Sequence, residues 1–399
     1  MVQSGVVPLR LSRTAGRITS SAIRDLLDVA SRPGVISLAG GLPAPSSFPS
    51  ALLADAVAAE LRADPGGALQ YSTTQGEPAL RSLIAAGRRT TAERVVVTHG
   101  SQQGLDLLAR VLVDPGEVVA LADPGYPGAI QAFALAGATL VGLERDGRGL
   151  RIDTLEGRLR AGLRPRVVYV VPEFDNPTGA TLPADRRAGL VRLAHDHDFV
   201  VVADDPYREL RWQGRAVDPP FPDSDRLVTL GSFSKVLSPG LRIGYVIAPP
   251  AVVEALVLVK QAADLHTSTL AQRVTVRVLS EPDFAGRHLP HLRSIYRQRA
   301  AALDAALRAT LGGRLRWSAP DGGMFVWATF DEGGRATADT GRLLALALEE
   351  GVAFVPGTAF GIDGDHRRSL RLSFATGHPA ELIEAVGRLS RAVERLDGR

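Results

Sequence analysis

Apolar runs rich in β-branched residues alternate with helix-like segments through the middle of the chain. The pattern predicts strands at Val95–Thr98, Val118–Leu121, Ala138–Leu143, Val167–Val171, Phe199–Ala203 and Leu227–Leu230. The segments between them are helical in pattern, as in Gly104–Leu112 after the first strand. Near-continuous apolar strands separated by helices are typical of a mostly parallel sheet with both faces covered. The sequence therefore predicts an α/β fold for the central part of the chain.

The pattern changes after about residue 275, where longer helical stretches accompany fewer strands. We predict helices over His291–Leu311 and Pro379–Leu396, and strands over Gly322–Trp327 and Ser369–Phe374. These elements indicate a smaller α+β domain.

Residues 1–49 are rich in Gly, Pro and Ser after a predicted helix at about Ser20–Ala30. We expect this arm to pack against the smaller domain or a neighbouring subunit. The chain is therefore divided into a large domain at residues 50–278, with the N-terminal arm at 1–49 and a small domain at 279–399.

Short polar clusters follow several of the predicted strands. They are Gly100–Gln102, Asn176–Gly179, Asp204–Tyr207 and Ser232–Lys235. In parallel sheets ligands bind beyond the carboxyl ends of the strands. The four clusters together predict one binding site at that edge of the sheet.

Composition excludes several classes of function. The net charge is only +3 with both signs interspersed, so no basic block indicates nucleic-acid binding. The absence of cysteine excludes disulfides, thiolate nucleophiles and cysteine-bound metals, and it fits a cytoplasmic protein. No apolar run reaches the roughly 18–20 residues of a membrane span, and the histidines form no metal-ligand pattern.

Lysine is scarce in this chain. Only Lys235 and Lys260 occur, against 44 arginines. Exchange of Lys for Arg is nearly neutral on a solvated surface, but a guanidinium cannot be deprotonated to a nucleophilic amine. Lys235 lies in the hydroxyl-rich segment Gly231–Lys235 and is a candidate for amine chemistry. Taken alone, survival of two lysines by chance is an equal alternative.

A Schiff-base lysine on a sheet scaffold suggests pyridoxal phosphate (PLP), whose other requirements can be checked. Gly100–Gln102 precedes a helix, where free N–H groups and the helix dipole bind phosphate. Ser232, Ser234 and Arg242 could complete such a phosphate cup. A Gly-Ser pair before a helix is otherwise an ordinary N-cap.

The remaining requirements concern the pyridine ring. A carboxylate at Asp204 could keep the ring nitrogen protonated, and Tyr207 with Asn176 could hold the phenolic oxygen. Tyr126 could stack on the ring. Each has an ordinary alternative: a capped turn before Pro206, an Asn-Pro turn, or a residue that packs a loop.

Together these segments resemble the fold-type I, PLP-dependent aminotransferases of the class I/II group, and within it the 2-aminoadipate and kynurenine aminotransferase II subgroup. The resemblance runs from about Arg17 to the C-terminus. The segments that carry it are Ser37–Pro43, Gln70–Ser72, Gln75–Gly76, Gly100–Gln103, Asn176–Gly179, Asp204–Leu210, Gly231–Lys235, Ser238–Arg242, Gly322–Trp327 and Leu370–Ser373.

The resemblance implies a mostly parallel, seven-stranded central sheet flanked by helices, and a PLP site with distinct roles. Lys235 forms the Schiff base and moves the proton, Asp204 pairs with the pyridine nitrogen, and Tyr207 and Asn176 hold the phenolic oxygen. Tyr126 stacks on the ring. The phosphate ligands are Ser101, Gln102, Ser232, Ser234 and Arg242, with Tyr71 contributed from a neighbouring subunit of a homodimer.

The resemblance implies fewer residues for substrate binding than for cofactor binding. Arg371 is expected to bind the α-carboxylate of an amino acid or 2-oxo acid, next to Asn176 and Gly41. Arg24 matches a position that reads a distal carboxylate in aminoadipate enzymes, although an ordinary helix-surface arginine is almost as good a reading.

Some residues depart from the family pattern and leave the substrate open. Ala203, Thr74 and Glu77 differ from the residues usual there, and Glu173 and Asp175 add carboxylates that could change the charge preference near a substrate channel. The main expectation is transamination between an L-amino acid, such as an aminoadipate-, glutamate- or aromatic-like one, and a 2-oxo acid.

Two alternatives are weighed against transamination. An enzyme of specialised metabolism could use the same cofactor for carbon–carbon bond formation, elimination or decarboxylation. A MocR-type regulator would use such a domain as an effector sensor, but residues 1–40 are too short for its winged-helix DNA reader.

Overall fold

The computed structural model describes residues 10, 12, 14–17, 26, 32–218, 220–331 and 339–398. Within these ranges the α-helices, in chain order, are α1 Ser50–Ala63, α2 Pro65–Leu69, α3 Pro78–Arg88, α4 Gly100–Leu112, α5 Pro127–Ala136, α6 Ile152–Arg160, α7 Ala184–His197, α8 Pro250–Asp264, α9 Thr269–Ser280, α10 Leu289–Leu311, α11 Thr340–Glu349 and α12 Pro379–Leu396.

The strands are β1 Ile36–Ser37, β2 Val95–His99, β3 Val118–Ala122, β4 Thr139–Leu143, β5 Arg145–Asp146, β6 Gly149–Leu150, β7 Pro165–Val170, β8 Val200–Asp204, β9 Leu227–Ser232, β10 Ile243–Ile247, β11 Leu315–Arg316, β12 Phe325–Phe330, β13 Val352–Ala353, β14 Val355–Pro356 and β15 Ser369–Ser373. Short 3₁₀ turns and one π-helical turn at Phe284–His288 connect some of them.

The central sheet has seven strands in the order β2-β10-β9-β8-β7-β3-β4. All pairings among β9, β8, β7, β3 and β4 are parallel, and β10 pairs antiparallel with both β2 and β9. The predicted α/β fold with a mostly parallel sheet is thus confirmed. Val95–Val97 and all of β8 are buried, because helices cover both faces of the sheet, and this explains their continuous apolar pattern.

One strand of the central sheet was not predicted. Strand β10 carries Gly244 and Tyr245 in its interior, and glycine weakens a strand signal. A Cβ atom at Gly244 would come within 2.5 Å of the backbone carbon of Gly100. Glycine is therefore required where β10 passes under the first turn of α4.

A second sheet is formed by the C-terminal part of the chain. It has the order β11-β12-β15-β14 and is antiparallel throughout. Helix α10 packs against α12, and the amphipathic α12 turns Leu382, Val386 and Leu389 into the core. The predicted helices and strands of this region are present with boundaries shifted by a few residues at most.

The described part of the N-terminal arm joins this second layer. Strand β1 pairs in parallel with β13, so that Ile36 lies opposite Val352. The Leu38 amide donates to the Ala353 carbonyl at 2.7 Å. The helix predicted at Ser20–Ala30 falls almost entirely outside the described residues.

Candidate active site

A cavity of about 300 Å³ lies where the carboxyl ends of β8 and β9 meet the first turn of α4 and the second sheet. All four predicted polar clusters contribute to its wall. The predicted site residues that line it are Gly41, Ser101, Gln102, Tyr126, Asn176, Asp204, Tyr207, Ser232, Ser234, Lys235, Arg242 and Arg371. The rule that sites form at the carboxyl edge of parallel strands thus locates the cavity correctly.

Lys235 lies inside this cavity, three residues after the end of β9. Its Nζ donates a hydrogen bond of 2.8 Å to the Gly41 carbonyl oxygen. Burial lowers the pKa of Lys235 to about 8, and the charges of Arg371 and Arg242 act in the same direction, with Asp204 opposing them. A substantial fraction of the amine is therefore neutral near physiological pH, as a nucleophile requires.

Asp204 ends β8 and is buried at the base of the cavity. Its Oδ2 accepts a hydrogen bond of 2.9 Å from the Tyr169 hydroxyl, while Oδ1 is buried without a partner among the described residues. Burial raises the pKa of Asp204 to about 7, against the hydrogen bond from Tyr169 and the charge of Lys235. An unpaired buried carboxylate oxygen is rare. It matches the donor that a protonated pyridine nitrogen offers, so these residues fit PLP.

Tyr169 was missed by the sequence analysis. It is a buried residue of β7 and lies opposite Val202 of β8 in the sheet register. Its ring packs against Phe133 with centroids 6.3 Å apart. The only signal was one hydroxyl-bearing ring within the otherwise aliphatic run Val167–Val171.

The residues predicted to bind phosphate come together at the start of α4, at the end of β9 and in the loop after it. Gly100, with φ of 70°, begins the helix, and a Cβ atom there would lie 2.5 Å from Nη2 of Arg242. Ser232 Oγ donates to Ser234 Oγ at 2.9 Å and accepts from the Ser234 amide at 3.1 Å. Helix N–H groups, two hydroxyls and a guanidinium in one concavity are donors of the kind that bind an anion.

Two tyrosines flank the centre of the cavity. The buried Tyr207 ring meets Phe325 edge to face at 6.0 Å, and burial raises the pKa of its hydroxyl. Burial also raises the pKa of Tyr126 to about 12. Both phenols therefore stay protonated at neutral pH and remain hydrogen-bond donors.

Arg371 faces the cavity from β15 of the second sheet. Its Nη1 donates to Asn176 Oδ1 at 2.7 Å and its Nη2 to the Ala39 carbonyl at 2.6 Å, while Nε is buried without a partner in the described ranges. Burial lowers the pKa of Arg371 to about 10. No carboxylate pairs with this guanidinium in the described structure, so it is available for an anionic ligand.

Glu173 and Asp175 do not line the cavity. Glu173 is fully buried between Arg187, at 2.8 Å, and Arg211, at 2.5 Å. Asp175 Oδ2 lies 2.6 Å from Arg145 Nη1. The expectation that Glu173 and Asp175 alter the charge preference near a substrate channel is therefore wrong, because arginines neutralise both carboxylates.

Two predicted residues lie elsewhere. Tyr71 does not contact the cavity of its own chain: it is 77% exposed and meets the His266 ring edge on at 5.6 Å. Arg24 lies outside the described residues.

The described residues were also compared with the requirements of a metal site and of a membrane span. The described ranges contain no group of three or more histidine or carboxylate side chains placed to hold a metal ion. No helix among the described residues has the length and apolarity needed to cross a bilayer.

Comparisons with known proteins all indicate the same family. The model for aminotransferase class I and II matches residues 35–389. A 2-aminoadipate transaminase of Thermus thermophilus is 43% identical over 388 residues, covering 96% of each chain. Aromatic-amino-acid aminotransferase 1 of Thermococcus litoralis is 36% identical and covers 96% of this chain and 94% of the relative.

A solved structure agrees with this. An alpha-aminoadipate aminotransferase from Thermus thermophilus, complexed with N-(5'-phosphopyridoxyl)-L-leucine, has a TM-score of 0.88 at 40% identity and covers 97% of this chain and 98% of that chain. The chain therefore belongs to the class I and II aminotransferases, and it is a fold-type I, PLP-dependent enzyme that transfers an amino group between an amino acid and a 2-oxo acid.

Proposed function

We propose that the cavity around Lys235 is the site of this transamination and that its residues have the roles the sequence implied. The observation that carries the proposal is the buried Oδ1 of Asp204, which has no partner in the described structure and lies in the wall that also holds Lys235. A bound cationic ring nitrogen would satisfy this oxygen. It would also keep Asp204 ionised despite its burial.

When bound, PLP supplies an electron-withdrawing ring that makes the Cα proton of the attached amino acid acidic. Lys235 binds the cofactor and, once an amino acid has displaced it, moves the proton away from Cα. Its lowered pKa suits a group that must both accept and return a proton near neutral pH. General acid–base work of this kind typically contributes about 10²–10⁴-fold.

The other residues hold the cofactor in one orientation. Tyr207 and Asn176 hold the phenolic oxygen, and Tyr126 stacks on the ring. The start of α4, with Ser101 and Gln102, binds the phosphate together with Ser232, Ser234 and Arg242. Fixed donors around the phosphate prevent rotation of the ring away from Asp204.

Arg371 binds the α-carboxylate shared by amino acids and 2-oxo acids. Its free Nε and its two terminal nitrogens form the fork that matches a carboxylate. The names of the relatives support a donor of the aminoadipate, glutamate or aromatic class. We retain Arg24 as the proposed reader of a distal carboxylate and Gly41 as a neighbour of the substrate.

The enzyme is proposed to act as a homodimer with shared sites. Leu69, Tyr71 and Leu265 are exposed large side chains next to the Tyr71–His266 contact, and an apolar surface of this kind fits a subunit interface. Tyr71 would then reach the phosphate of the partner. Mixing equal amounts of Lys235→Ala and Tyr71→Ala chains tests this, because each hybrid dimer regains one intact site. With about half of the dimers hybrid, the mixture should regain about a quarter of wild-type activity. No recovery would contradict shared sites.

The proposed domains are the large domain at 50–278, and the arm at 1–49 with the small domain at 279–399. Pairing of β1 with β13 supports placing the arm with the small domain. A cytoplasmic location stays a prediction of the sequence.

The reaction is tested with a panel of L-amino acids against the purified holoenzyme. The expected result is conversion of bound cofactor to its pyridoxamine form, with the matching 2-oxo acid detected by mass spectrometry. Lys235→Arg, which keeps the charge but not the reactive amine, should abolish this conversion. A decarboxylated amine or an elimination product in place of the 2-oxo acid would contradict transamination.

A further inference from the structure

The second lysine, Lys260, is fully buried in α8 and does not line the cavity. Its Nζ donates to Oδ1 and Oδ2 of Asp264 at 2.7 and 2.8 Å, and to Oε1 of Gln103 at 3.2 Å. An ammonium group has three N–H donors, so this setting offers it acceptors on two side chains from different helices. The site of Lys260 is therefore built specifically for an ammonium group.

These contacts continue to the phosphate cup. Gln103, at the end of the first turn of α4, donates from Nε2 to Asp264 Oδ2 at 2.7 Å, and its Oε1 accepts from the His99 amide at 2.8 Å. His99 Nδ1 lies 2.8 Å from Asp264 Oδ2, and its carbonyl accepts from Nη2 of Arg242 at 3.2 Å. A continuous chain of hydrogen bonds thus joins Lys260 to the guanidinium of the cup.

The same cluster borders the Tyr71 segment. Asp264 ends α8, and Leu265 follows it with φ of 65°, a conformation that costs a leucine energy and must be held in place by its surroundings. The next residue, His266, accepts the Ser72 amide at 3.4 Å and contacts the Tyr71 ring. The cluster around Lys260 therefore adjoins the cup on one side and Tyr71 on the other.

Electrostatics favours a fixed geometry here. Burial lowers the pKa of Lys260, and the hydrogen bond and charge of Asp264 oppose that shift. Burial alone would raise the pKa of Asp264, but hydrogen bonds from Gln103 and Lys260 outweigh it and lower that pKa. Buried ion pairs of this kind contribute little to net stability, whereas breaking one by removing a partner is costly.

An arginine would not serve at this position. Its guanidinium carries five donors in a rigid planar fork and is larger than the ammonium it would replace. In a fully buried site this leaves donors unpaired and overpacks the neighbours. The chain uses arginine almost everywhere else, so the retained lysine matches a geometric requirement.

We propose that Lys260 is a positioning residue for the cofactor phosphate, holding Asp264, Gln103 and His99 so that the cup is formed before the phosphate binds. The inference rests on the proposed phosphate cup at Ser101, Gln102, Ser232, Ser234 and Arg242. It concerns the binding of the phosphate and not the chemistry at Lys235.

The test compares PLP with pyridoxal, which lacks the phosphate. Dissociation constants of both are measured for wild type and Lys260→Met after removal of the cofactor from the holoenzyme. We expect Lys260→Met to weaken PLP binding roughly tenfold, by analogy with the lower end of what outer partners contribute at metal sites, and to change pyridoxal binding less than about twofold. Glu254→Gln, an exposed change on the same helix, should alter neither constant.

Equal weakening of PLP and pyridoxal, or no weakening of PLP, would overturn the proposal. Gln103→Met removes the hydrogen bond to the His99 amide but keeps the ion pair and the contact of Asp264 with the His99 ring. It therefore tests the path through the His99 backbone if Lys260→Met does not fold. It should lower the preference for PLP over pyridoxal, and an unchanged preference would also overturn the proposal. If wild type itself has no such preference, the assigned cup is wrong, which is a distinct failure.

Discussion

The Tyr169 hydroxyl donates a hydrogen bond of 2.9 Å to Oδ2 of Asp204, and the second oxygen of that carboxylate is buried without a partner in the described structure. One strand of the central sheet thus orients the carboxylate of the next. With Oδ2 occupied, Oδ1 is the oxygen left for the cofactor. We infer that Tyr169 acts through Asp204 as a positioning residue.

Replacing Tyr169 with Phe should lower kcat about tenfold and leave KM for the amino acid nearly unchanged. The hydrogen bond from Tyr169 lowers the pKa of Asp204, so its loss raises that pKa and weakens the pairing with the ring nitrogen. Steady-state kinetics across pH and the absorbance of the bound cofactor measure the effect. Tyr245→Phe, a buried control on β10, should reduce stability without changing the pH profile. Identical profiles for Tyr169→Phe and wild type would argue against the positioning role.

Capture of PLP by the apoprotein should depend on pH through Lys235. The amine must be neutral to react, and burial has lowered its pKa to about 8. At pH 7 roughly a tenth of the amine is then neutral, a few hundred times more than for an exposed lysine. The rate of covalent capture, followed by absorbance, should rise with pH and level off above about 8. A rate still rising steeply near pH 10 would indicate an unperturbed lysine.

Asp204→Asn should change how the stability of the apoprotein depends on pH. Burial raises the pKa of Asp204 to about 7, so the native state binds more protons than the unfolded state between about pH 4 and 7. The free energy of unfolding of the wild type therefore falls by roughly 1–4 kcal/mol as the pH rises through this range. That of Asp204→Asn should not fall for this reason, because the variant has no carboxyl group to ionise. Urea unfolding at about pH 5 and pH 8, at fixed protein concentration, measures the difference. If the difference in free energy of unfolding between the two proteins is the same at both pH values, Asp204 is not a buried carboxyl group with a raised pKa.

Arg371→Lys should raise KM for both the amino acid and the 2-oxo acid by about 10–100-fold, since a single ammonium cannot reproduce the fork of a guanidinium. The dissociation constant of PLP should stay within about twofold. Arg187→Lys is the matched control, because Arg187 is equally buried but pairs with Glu173 away from the cavity. Substrate titration separates the two, and a KM that rises for only one of the two substrates would exclude a role in binding their shared carboxylate.

The sequence predicted the sheet and the cavity because both follow from local pattern. Strands such as Val95–Val97 are apolar throughout because the sheet is buried. The polar clusters come directly after strands, at the carboxyl edge of the sheet where ligands bind. Lys235 became a candidate because arginine cannot replace a reactive amine. These inferences need no knowledge of which distant residues meet.

Contacts between residues that are distant in the sequence could not be predicted from local pattern. The role of Tyr169 depends on the register between β7 and β8, and Gly244 weakened the signal of β10 because it makes room for Gly100. Glu173 looked like a free charge because its partners, Arg187 and Arg211, follow it in the chain by 14 and 38 residues. A carboxylate can be judged only once the residues around it in space are known.

Lys235 is proposed to carry the cofactor, and the chain has only one other lysine. Borohydride reduction of the holoenzyme fixes the cofactor to the lysine that holds it, and peptide mass spectrometry then locates it. We predict a phosphopyridoxyl group on Lys235 and none on Lys260. A label on Lys260, or no lysine-bound label on an active holoenzyme, would contradict it.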